Sequence, residues 1–304
     1  MSTLITGGTG LVGSAITVVG HPYYKISSVD VDLTDPITTN HFFKQLSPKY
    51  VIHCAGKVGG LAGNMNHLGE YYYKNIMINT NVLEACRKSG VKKVVSFLST
   101  CVFPDKVTYP ITEDQFHNGE PHTSNFSYAY AKRMVEVQSR AYNKQYGTKY
   151  VCVIPTNIYG PNDNFDLENG HVAPALIHRC YLAMKNNEDL VVWGSGKPLR
   201  EFIYSEDVAN LSTWALKNYK EDEPIIFSTM EEVSIAELVD SIVKHMGFKG
   251  KVVWDKSKPD GQFKKPASNK KLLSYLPDYK FISLDEGMGR TVEWFKEHYP
   301  EVRK

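Results

Sequence analysis

The chain has 304 residues, a formal net charge of +2 and a charged fraction of 22%. A globular protein of this length buries about three quarters of its unfolded surface, so it needs no disulfide or metal in order to fold. The composition excludes a disordered chain, a disulfide-rich secreted module and a collagen-like protein. The nearly neutral charge argues against a nucleic-acid-binding protein, which usually carries a strongly basic face.

The cysteine pattern indicates a reducing compartment. The chain has five cysteines, an odd number, and no two of them form a CxxC pair. This pattern carries no zinc signature, and we expect no bound metal. No apolar run reaches the roughly 18 residues of a membrane span, and the segment from Met1 lacks the basic-then-apolar layout of a signal peptide. We therefore expect a cytoplasmic protein without membrane contact.

Short β-rich runs alternate with helical patterns through the first half of the chain. The predicted strands, apolar enough to be buried on both faces, are 3–6, 24–29, 49–54, 92–99 and 149–154. The predicted helices are 11–19, 37–46, 68–89 and 128–146, and glycine follows three of them. This alternation predicts parallel strands joined by right-handed crossovers in a doubly wound sheet.

The second half of the chain mixes longer loops with further helices and strands. Residues 158–169 and 256–271 are rich in turn-forming residues and are predicted as loops. The predicted helices are 172–185, 205–217, 234–245 and 284–298, and the predicted strands are 190–193, 225–228 and 251–254. We therefore divide the chain into a first domain, 1–155, and a smaller mixed domain, 156–304, some of whose segments return to the first sheet.

A glycine-rich turn follows the first predicted strand and opens the first predicted helix. It contains Gly7, Gly8, Thr9, Gly10, Leu11, Val12 and Gly13, with glycines spaced as GxxGxxG. One glycine permits the tight turn, another lets a diphosphate approach the backbone, and the last packs the helix on the strand. The helix amides and dipole then hold the anion. The alternative is an ordinary glycine-rich turn, but the position between strand and helix favours dinucleotide binding.

Two further segments belong to this predicted cofactor site. Asp30, Asp32 and Asp35 follow the second predicted strand, where the adenosine end of a dinucleotide would bind. After the third predicted strand, the His-Cys-Ala-Gly run at 53–56 suits a close passage of backbone beside the cofactor.

Three polar residues predict an active site for carbonyl or alcohol chemistry. Ser99 ends the fourth predicted strand, and Tyr128 and Lys132 lie one helical turn apart on one face of the next helix. An unperturbed tyrosine has a pKa of about 10, and a neighbouring ammonium stabilises its phenolate, so that it can exchange a proton with a substrate oxygen. Ser99 can donate a hydrogen bond to that oxygen, and Lys132 can also reach the nicotinamide ribose. A lone Tyr-xxx-Lys pair is usually a surface feature, but together with Ser99 and the glycine turn it predicts a dehydrogenase site.

These motifs resemble the extended short-chain dehydrogenase/reductase family. Strings that resemble its GDP-sugar epimerase-reductases lie at 57–60, 99–104, 155–161, 163–165, 170–176, 192–196 and 200–202. The likeness runs from Leu4 to about Phe295. It implies an α/β fold, a Rossmann-type doubly wound parallel sheet that binds NADP, with a smaller mixed α/β domain that binds the GDP-sugar substrate.

The resemblance implies two reactions in one site. GDP-4-keto-6-deoxy-D-mannose would be epimerised at carbons 3 and 5, and the ketone at carbon 4 would then be reduced by NADPH, which yields GDP-L-fucose. Cys101 and His171 match the family's epimerisation pair, and both residue types can titrate near neutral pH. Ser99, Tyr128 and Lys132 would serve the reduction, and the same oxyanion site would stabilise the enediolate.

The resemblance also implies binding residues. Beyond the glycine turn, the cofactor positions are Asp32, Leu98, Ser99, Lys132, Pro155, Asn157, Ile158 and His171. The GDP positions are Arg179, Trp193, Arg200 and Asp260, because arginine can fork onto a diphosphate and tryptophan can stack on guanine or sugar. We interpret Lys264 and Lys265 as solvated loop charges. Because relatives pair their long helices across a two-fold axis, residues 68–89 and 128–146 predict a homodimer.

The cofactor preference and the exact reaction have alternatives. A preference for NADPH normally requires a cation near the ribose 2′-phosphate, yet no Lys or Arg follows Lys25 in this region, and Asp30 could favour NADH. The resemblance nevertheless predicts NADP. The alternative functions are a 4,6-dehydratase, a 4-epimerase or a 3,5-epimerase of the same fold, or a non-catalytic dinucleotide-sensing protein. Cys101 stands after Thr100, where a dehydratase would need an acidic pair, and a sensing protein would commonly have lost Tyr128 or Lys132.

Overall fold

The computed structural model describes residues 2–258 and 264–304, which form a mixed α/β structure. The strands are β1 Thr3–Thr6, β2 Tyr23–Ile26, β3 Tyr50–His53, β4 Lys93–Phe97, β5 Tyr150–Pro155, β6 Asn157–Tyr159, β7 Leu190–Trp193, β8 Leu199–Tyr204, β9 Ile225–Phe227, β10 Glu232–Ser234 and β11 Val252–Asp255. The helices are α1 Leu11–Ala15, α2 Pro36–Leu46, α3 Leu61–Asn66, α4 Leu68–Lys88, α5 Phe126–Tyr146, α6 Val172–Asn186, α7 Ser205–Asn218, α8 Ile235–Met246, α9 Lys270–Tyr275 and α10 Leu284–His298.

Within the described residues, the main sheet has six strands in the order β2-β1-β3-β4-β5-β9, and all neighbouring pairs are parallel. The order reverses between β1 and β3, because the chain runs outward from β1 to β2 and then returns to the other side of β1. In open α/β sheets, ligands bind outside the carboxyl ends of the strands at such a switch point. The predicted doubly wound fold is confirmed, and the glycine-rich turn after β1 lies at the switch point.

Alternate residues of the central strands enter separate cores on the two faces of the sheet. Leu4 and Val51 pack in a core with side chains of α2, α4 and α5, whereas Ile5 and Ile52 pack with side chains of α7. All residues of β1 and β5 are buried. Strands with both faces covered are expected in a sheet built from crossover helices.

The second strand departs from the prediction. Tyr23, Tyr24 and Lys25 are exposed, and only Ile26 of β2 is buried. The prediction that this strand is buried on both faces was therefore wrong. The reason is its place at the edge of the sheet, where β1 is its single partner.

Smaller sheets and a third core lie in the second half of the chain. Strand β8 pairs in parallel with β6 and antiparallel with β10, and β11 pairs in parallel with β7. Phe165, Leu176, Leu238 and Phe295 belong to a core built largely from α6, α8 and α10. Strand β9 returns to the main sheet and pairs with β5. The domain boundary after residue 155 stays a prediction.

Several elements were missed because their local pattern is weak. Strand β8 places Arg200 and Glu201 between apolar residues, so its sequence lacks a clear period, and pairing with β6 and β10 defines it. Strand β6 and helix α9 occupy the edges of the segments 158–169 and 256–271, so the loop predictions were wrong there. Across residues 2–258 and 264–304, every helix is too short or too polar to cross a membrane.

Candidate active site

The glycine turn after β1 is shaped by contacts that exclude side chains. Gly7 has a φ of +66°, and a Cβ there would lie 2.9 Å from the backbone nitrogen of Ala55. A Cβ on Gly13 would lie 2.2 Å from the carbonyl oxygen of Gly7, so the first helix packs directly on the turn. A Cβ on Gly10, the residue that precedes α1, would meet nothing closer than 3.4 Å. Gly10 is therefore packed less tightly than Gly7 and Gly13, with only ordinary contacts at its Cβ position.

The remaining residues of the turn have different environments. Thr9 is exposed, Leu11 is half-buried and Val12 is buried. A Cβ on Gly8 would lie 2.5 Å from the Cβ of Lys25, so this glycine is required by packing against β2. Within the turn, the backbone N–H of Gly10 donates to the carbonyl oxygen of Gly7 at 3.1 Å.

His53, at the end of β3, holds the framework beneath the turn. Its Nδ1 lies 2.7 Å from Oγ1 of Thr6, and its Nε2 lies 3.0 Å from Oδ1 of Asn79. Burial lowers the pKa of His53 to about 3, so the imidazole is neutral at physiological pH. The loop after His53 brings Ala55 against Gly7, as close backbone passage at this point requires.

The acidic residues after β2 are engaged in local turns. Asp30 accepts hydrogen bonds from the backbone N–H of Ser27 at 2.8 Å and from its hydroxyl at 3.0 Å. Asp32 likewise accepts from the N–H and hydroxyl of Thr34, and Asp35 caps the amino end of α2. These hydrogen bonds lower the pKa of each carboxyl, because they stabilise its ionised form.

Ser99, Cys101 and Lys132 meet at the carboxyl end of β4. Leu98, directly after the strand, is buried, and Ser99 opens a short 3₁₀ turn in which its hydroxyl oxygen accepts from the N–H of Cys101 at 3.4 Å. Lys132 donates from Nζ to the carbonyl oxygen of Phe97 at 3.0 Å. The sheet edge and α5 therefore supply one continuous group of polar side chains.

Burial governs the protonation of Tyr128 and Lys132. The Nζ of Lys132 lies 6.0 Å from the centre of the Tyr128 ring. Burial raises the pKa of Tyr128, and nearby Cys101 and Tyr71 raise it further. Burial also lowers the pKa of Lys132 to about 8. Desolvation therefore favours the protonated phenol, and stabilisation of a phenolate by the Lys132 ammonium stays a prediction.

Cys101 is half-buried, and its surroundings act on the thiol in opposite directions. Burial raises the pKa of Cys101, whereas the Ser99 hydroxyl and the charges of Lys265 and Lys132 lower it. Lys265 is itself half-buried, and burial lowers its pKa. The interpretation of Lys265 as a solvated loop charge was therefore wrong, although Lys264 is exposed.

His171 directly precedes α6 and is held near the cofactor side of the sheet by the loop before it. The N–H of Gly60 donates to the carbonyl oxygen of Asn169 at 2.7 Å, and a Cβ on Gly60 would lie 2.4 Å from the oxygen of Gly170. His171 is exposed to solvent, although neighbouring protein partly desolvates its ring. This desolvation lowers its pKa, and the charge of Arg303 lowers it further. The imidazole is therefore neutral near pH 7.

Tyr71, on α4, packs behind the catalytic tyrosine candidate. Its ring lies 6.4 Å from the Tyr128 ring in an edge-to-face arrangement, and only 3% of the residue is exposed. A Cβ on Gly59 would lie 2.2 Å from the Tyr71 hydroxyl. Tyr71 thus holds Tyr128 on one side and the loop after β3 on the other.

The GDP candidates form two groups. Arg179 places its guanidinium carbon 4.4 Å from the centre of the Trp193 ring and donates to the carbonyl oxygen of Leu167 at 2.9 Å. Trp193 is 55% exposed, so its ring is available to a planar ligand. Arg200 is half-buried within electrostatic range of Lys265. Asp260 lies outside the described residues.

The segment after β5 connects the main sheet to the second half. Pro155 is buried, Asn157 is exposed and Ile158 is half-buried. Asn157 donates from its side-chain amide to the carbonyl oxygen of Glu201 at 2.8 Å. This bond fixes the start of β6 beside β8, so the segment leaves β5 in a defined direction.

Known proteins place this arrangement in one family. A model of the NAD dependent epimerase/dehydratase family matches residues 3–228. A GDP-L-fucose synthase from Dictyostelium discoideum is 50% identical over 312 residues, which cover 100% of this chain and 98% of the relative. A GDP-L-fucose synthase from Escherichia coli strain K12 is 35% identical, with 98% of both chains covered.

A solved structure agrees with these matches. The crystal structure of a GDP-L-fucose synthetase from Naegleria fowleri bound to NADP has a TM-score of 0.95 and 44% sequence identity, and covers 100% of this chain and 95% of that chain. The chain belongs to the GDP-L-fucose synthase group of the NAD dependent epimerase/dehydratase family. The resemblance found in the motifs is confirmed.

In this member of the GDP-L-fucose synthase group, the sequence found the central residues and missed three of their neighbours. The residues that the structure brings together are Ser99, Cys101, Tyr128 and Lys132. Tyr71, Lys265 and Arg303 were missed as neighbours of this site. Lys265 is preceded by a second lysine in a loop near a predicted substrate residue, a weak signal, whereas nothing in the local sequence marks Tyr71 or Arg303.

Proposed function

We propose that the protein converts GDP-4-keto-6-deoxy-D-mannose to GDP-L-fucose, by epimerisation at carbons 3 and 5 followed by NADPH-dependent reduction at carbon 4. The observation that carries the proposal is the placement of the Cys101 thiol beside Ser99, Tyr128 and Lys132. A proton-transfer group for the sugar carbons thereby shares one site with the groups that bind the ketone oxygen. The relatives named GDP-L-fucose synthase support the same reading.

The residues around the glycine turn fit a dinucleotide. Gly10 has only ordinary contacts at its Cβ position, while Gly7 and Gly13 are packed so closely that no side chain fits. We assign the diphosphate to this turn and the nicotinamide ribose to Lys132. NADP is favoured because a relative is bound to NADP and because the Asp30 carboxylate is turned onto Ser27. When bound, NADPH supplies the hydride that reduces carbon 4.

In the reduction, Tyr128 donates a proton to the oxygen on carbon 4. Its raised pKa keeps the phenol protonated, which is the form that a proton donor requires. The Ser99 hydroxyl donates a hydrogen bond to the same oxygen. The Lys132 ammonium lies near the Tyr128 ring and stabilises the negative charge left on the phenol oxygen.

In the epimerisation, His171 acts first as base and Cys101 as acid. The ketone at carbon 4 acidifies the hydrogens on carbons 3 and 5, and the resulting enediolate oxygen is held by Ser99 and Tyr128. The lowered pKa of His171 provides a neutral imidazole that accepts the proton. The raised pKa of Cys101 provides a protonated thiol that returns a proton to the opposite face.

The outer residues suggest how the substrate binds. We assign the GDP moiety to Arg179, Trp193 and Arg200, with Lys265 beside the sugar. These residues lie in the domain that we assign to 156–304, whereas the cofactor residues lie chiefly in 1–155. Asp260 remains a candidate from the sequence.

Exposed apolar side chains on α4 and α5 support a homodimer. Tyr73 on α4 is 59% exposed, and Phe126 on α5 is 43% exposed. Tyr72 and Met134 add two more exposed apolar side chains on these helices. The five free cysteines support a reducing, cytoplasmic location.

The proposal is tested by incubating the protein with GDP-4-keto-6-deoxy-D-mannose and NADPH. We expect GDP-L-fucose, identified by NMR, and one NADPH oxidised for each product formed. Epimers without NADPH oxidation would contradict the reductase part, and no change in the sugar would contradict the whole proposal. An inactive Tyr128→Phe variant serves as the control for contaminating activities.

A further inference from the structure

Arg303, on the segment after α10, reaches the cofactor side of the protein. Its Nη1 lies 3.8 Å from the position that a Cβ would occupy on Gly10. Gly10 directly precedes α1, and its Cβ position has only ordinary contacts, unlike those of Gly7 and Gly13. A cation therefore faces the turn from the second half of the chain.

The backbone around Arg303 is anchored. Its carbonyl oxygen accepts a hydrogen bond from the N–H of Phe165 at 2.9 Å. The preceding residue, Val302, is only 6% exposed and packs in the core that contains Phe165 and Phe295. The guanidinium is thus presented from a fixed point of the backbone.

The charges around Arg303 leave its guanidinium available to an anion. Within residues 2–258 and 264–304, its side chain forms no hydrogen bond or ion pair. Asp163 lies within electrostatic range, is 4% exposed and has an Oδ2 without a hydrogen-bond partner. The two groups attract one another without forming a closed ion pair.

We propose that Arg303 binds the diphosphate of NADP(H) together with the adjacent glycine turn. Arginine can donate two parallel hydrogen bonds to phosphate oxygens, and the glycine turn approaches the same group with its backbone. The inference rests on the proposed function, because it assumes a dinucleotide at the turn. A diphosphate also occurs in the GDP-sugar, for which Arg179 and Trp193 are the candidates. The contact with Gly10 assigns Arg303 to the cofactor.

The test measures binding without turnover. We expect Arg303→Gln to weaken NADPH binding at least tenfold, measured by titration of the nucleotide fluorescence, a change of about 1.4 kcal/mol. Arg303→Lys should recover part of the loss. Lys304→Gln removes the neighbouring charge, which lies over the Tyr299 ring, and should leave the Kd unchanged. The Kd of GDP should be the same in all variants.

Binding of a second ligand distinguishes loss of the Arg303 contact from a folding defect in the variant. Adenosine 2′-phosphate lacks a diphosphate, so Arg303→Gln should bind it as the unaltered protein does. Equal NADPH affinity in Arg303→Gln and the unaltered protein would overturn the inference, and so would a loss confined to GDP. Equal losses for NADPH and adenosine 2′-phosphate would also overturn it. If the unaltered protein fails to bind NADPH, the proposed function itself is contradicted.

Discussion

Lys132 donates a 3.0 Å hydrogen bond from Nζ to the carbonyl oxygen of Phe97, the last residue of β4. This bond ties α5, which carries Tyr128, to the strand edge that carries Ser99. Lys132 therefore fixes the position of Tyr128, the proposed proton donor, relative to Ser99, the proposed hydrogen-bond donor. Because the amine is buried, its charge is sensitive to pH.

Replacing Tyr128 with Phe should lower kcat for NADPH oxidation by roughly 10² to 10⁴, the usual contribution of a positioned proton donor. The ring remains, so packing against Tyr71 and the Kd of NADPH should be unchanged. Stopped-flow absorbance and nucleotide titration check the two parts. Nearly unaltered turnover in this variant would show that another group supplies the proton.

The activity should fall on the alkaline side with an apparent pKa near 8. Burial lowers the pKa of Lys132 to about 8, so its ammonium is lost above that pH. A profile of kcat/KM from pH 6 to 10 measures this limb, since it reports groups of the free enzyme. In Lys132→Arg the side chain stays charged, and the limb should vanish even if the overall rate is low. A limb that persists in that variant belongs to another group.

The same lysine affects stability with a definite sign. Its pKa is about 8 in the folded chain and 10.5 in an unperturbed lysine, so the unfolded state holds more protons between these values. The contribution of Lys132 to the free energy of unfolding therefore rises with pH across that window and is least favourable below pH 8. The free energy of unfolding of the unaltered protein and of Lys132→Met is measured in urea at pH 7 and pH 10. The advantage of the Met variant over the unaltered protein should be smaller at pH 10.

Replacing Cys101 with Ser should impair epimerisation of the sugar while leaving cofactor binding intact. A hydroxyl is a far weaker acid than a thiol, so the return of a proton to the opposite face should slow, and formation of deuterated epimers in heavy water should fall at least about 100-fold. Cys180→Ala, in the core of the second half, is the control and should exchange normally. Formation of deuterated epimers at the unaltered rate in Cys101→Ser would refute the assigned role.

Gly60→Ala should slow epimerisation by displacing the loop that precedes His171. The new Cβ would lie 2.4 Å from the carbonyl oxygen of Gly170, so the two backbones must separate. Gly69→Ala is a matched control, because a Cβ on Gly69 in α4 meets nothing within 4 Å. We expect reduced deuterium exchange in Gly60→Ala with an unchanged Kd for NADPH. Equal deuterium exchange in the two variants would contradict the role of this loop in positioning His171 for epimerisation.

Relative to the unaltered protein, the Glu201→Gln variant should be more stable at pH 8 than at pH 5. The carboxylate accepts hydrogen bonds from Ser228 and Ala267, and burial raises its pKa to about 7. The folded state therefore holds more protons than the unfolded state from about pH 4.5 to 7, and stability falls as pH rises through that window. In urea unfolding, the free energy of unfolding of the unaltered protein should fall by roughly 1–3 kcal/mol more than that of the variant between pH 5 and pH 8. Parallel pH curves would contradict this.

Much of the first half could be predicted because its signals are local. The alternation of apolar runs and helical periods predicts parallel strands, and Tyr128 and Lys132 share a helix face wherever that helix lies. The strand β8 was hidden because Arg200 and Glu201 interrupt its apolar pattern, and its pairing with two distant strands defines it. The edge position of β2 was likewise invisible, since a short apolar run does not reveal how many neighbours it has.

The sequence by itself determined the doubly wound order of elements, the glycine turn and the residue types of the proposed active site, because turns and helix faces depend on neighbouring residues. Only the tertiary structure decided which groups are desolvated and which distant residues meet. Burial keeps Tyr128 protonated and brings the pKa of Lys132 to about 8. Arg303 lies beside Gly10 because the segment after α10 packs through Val302 and Phe165. Desolvation and long-range contact arise from packing of the whole chain, and local sequence carries neither.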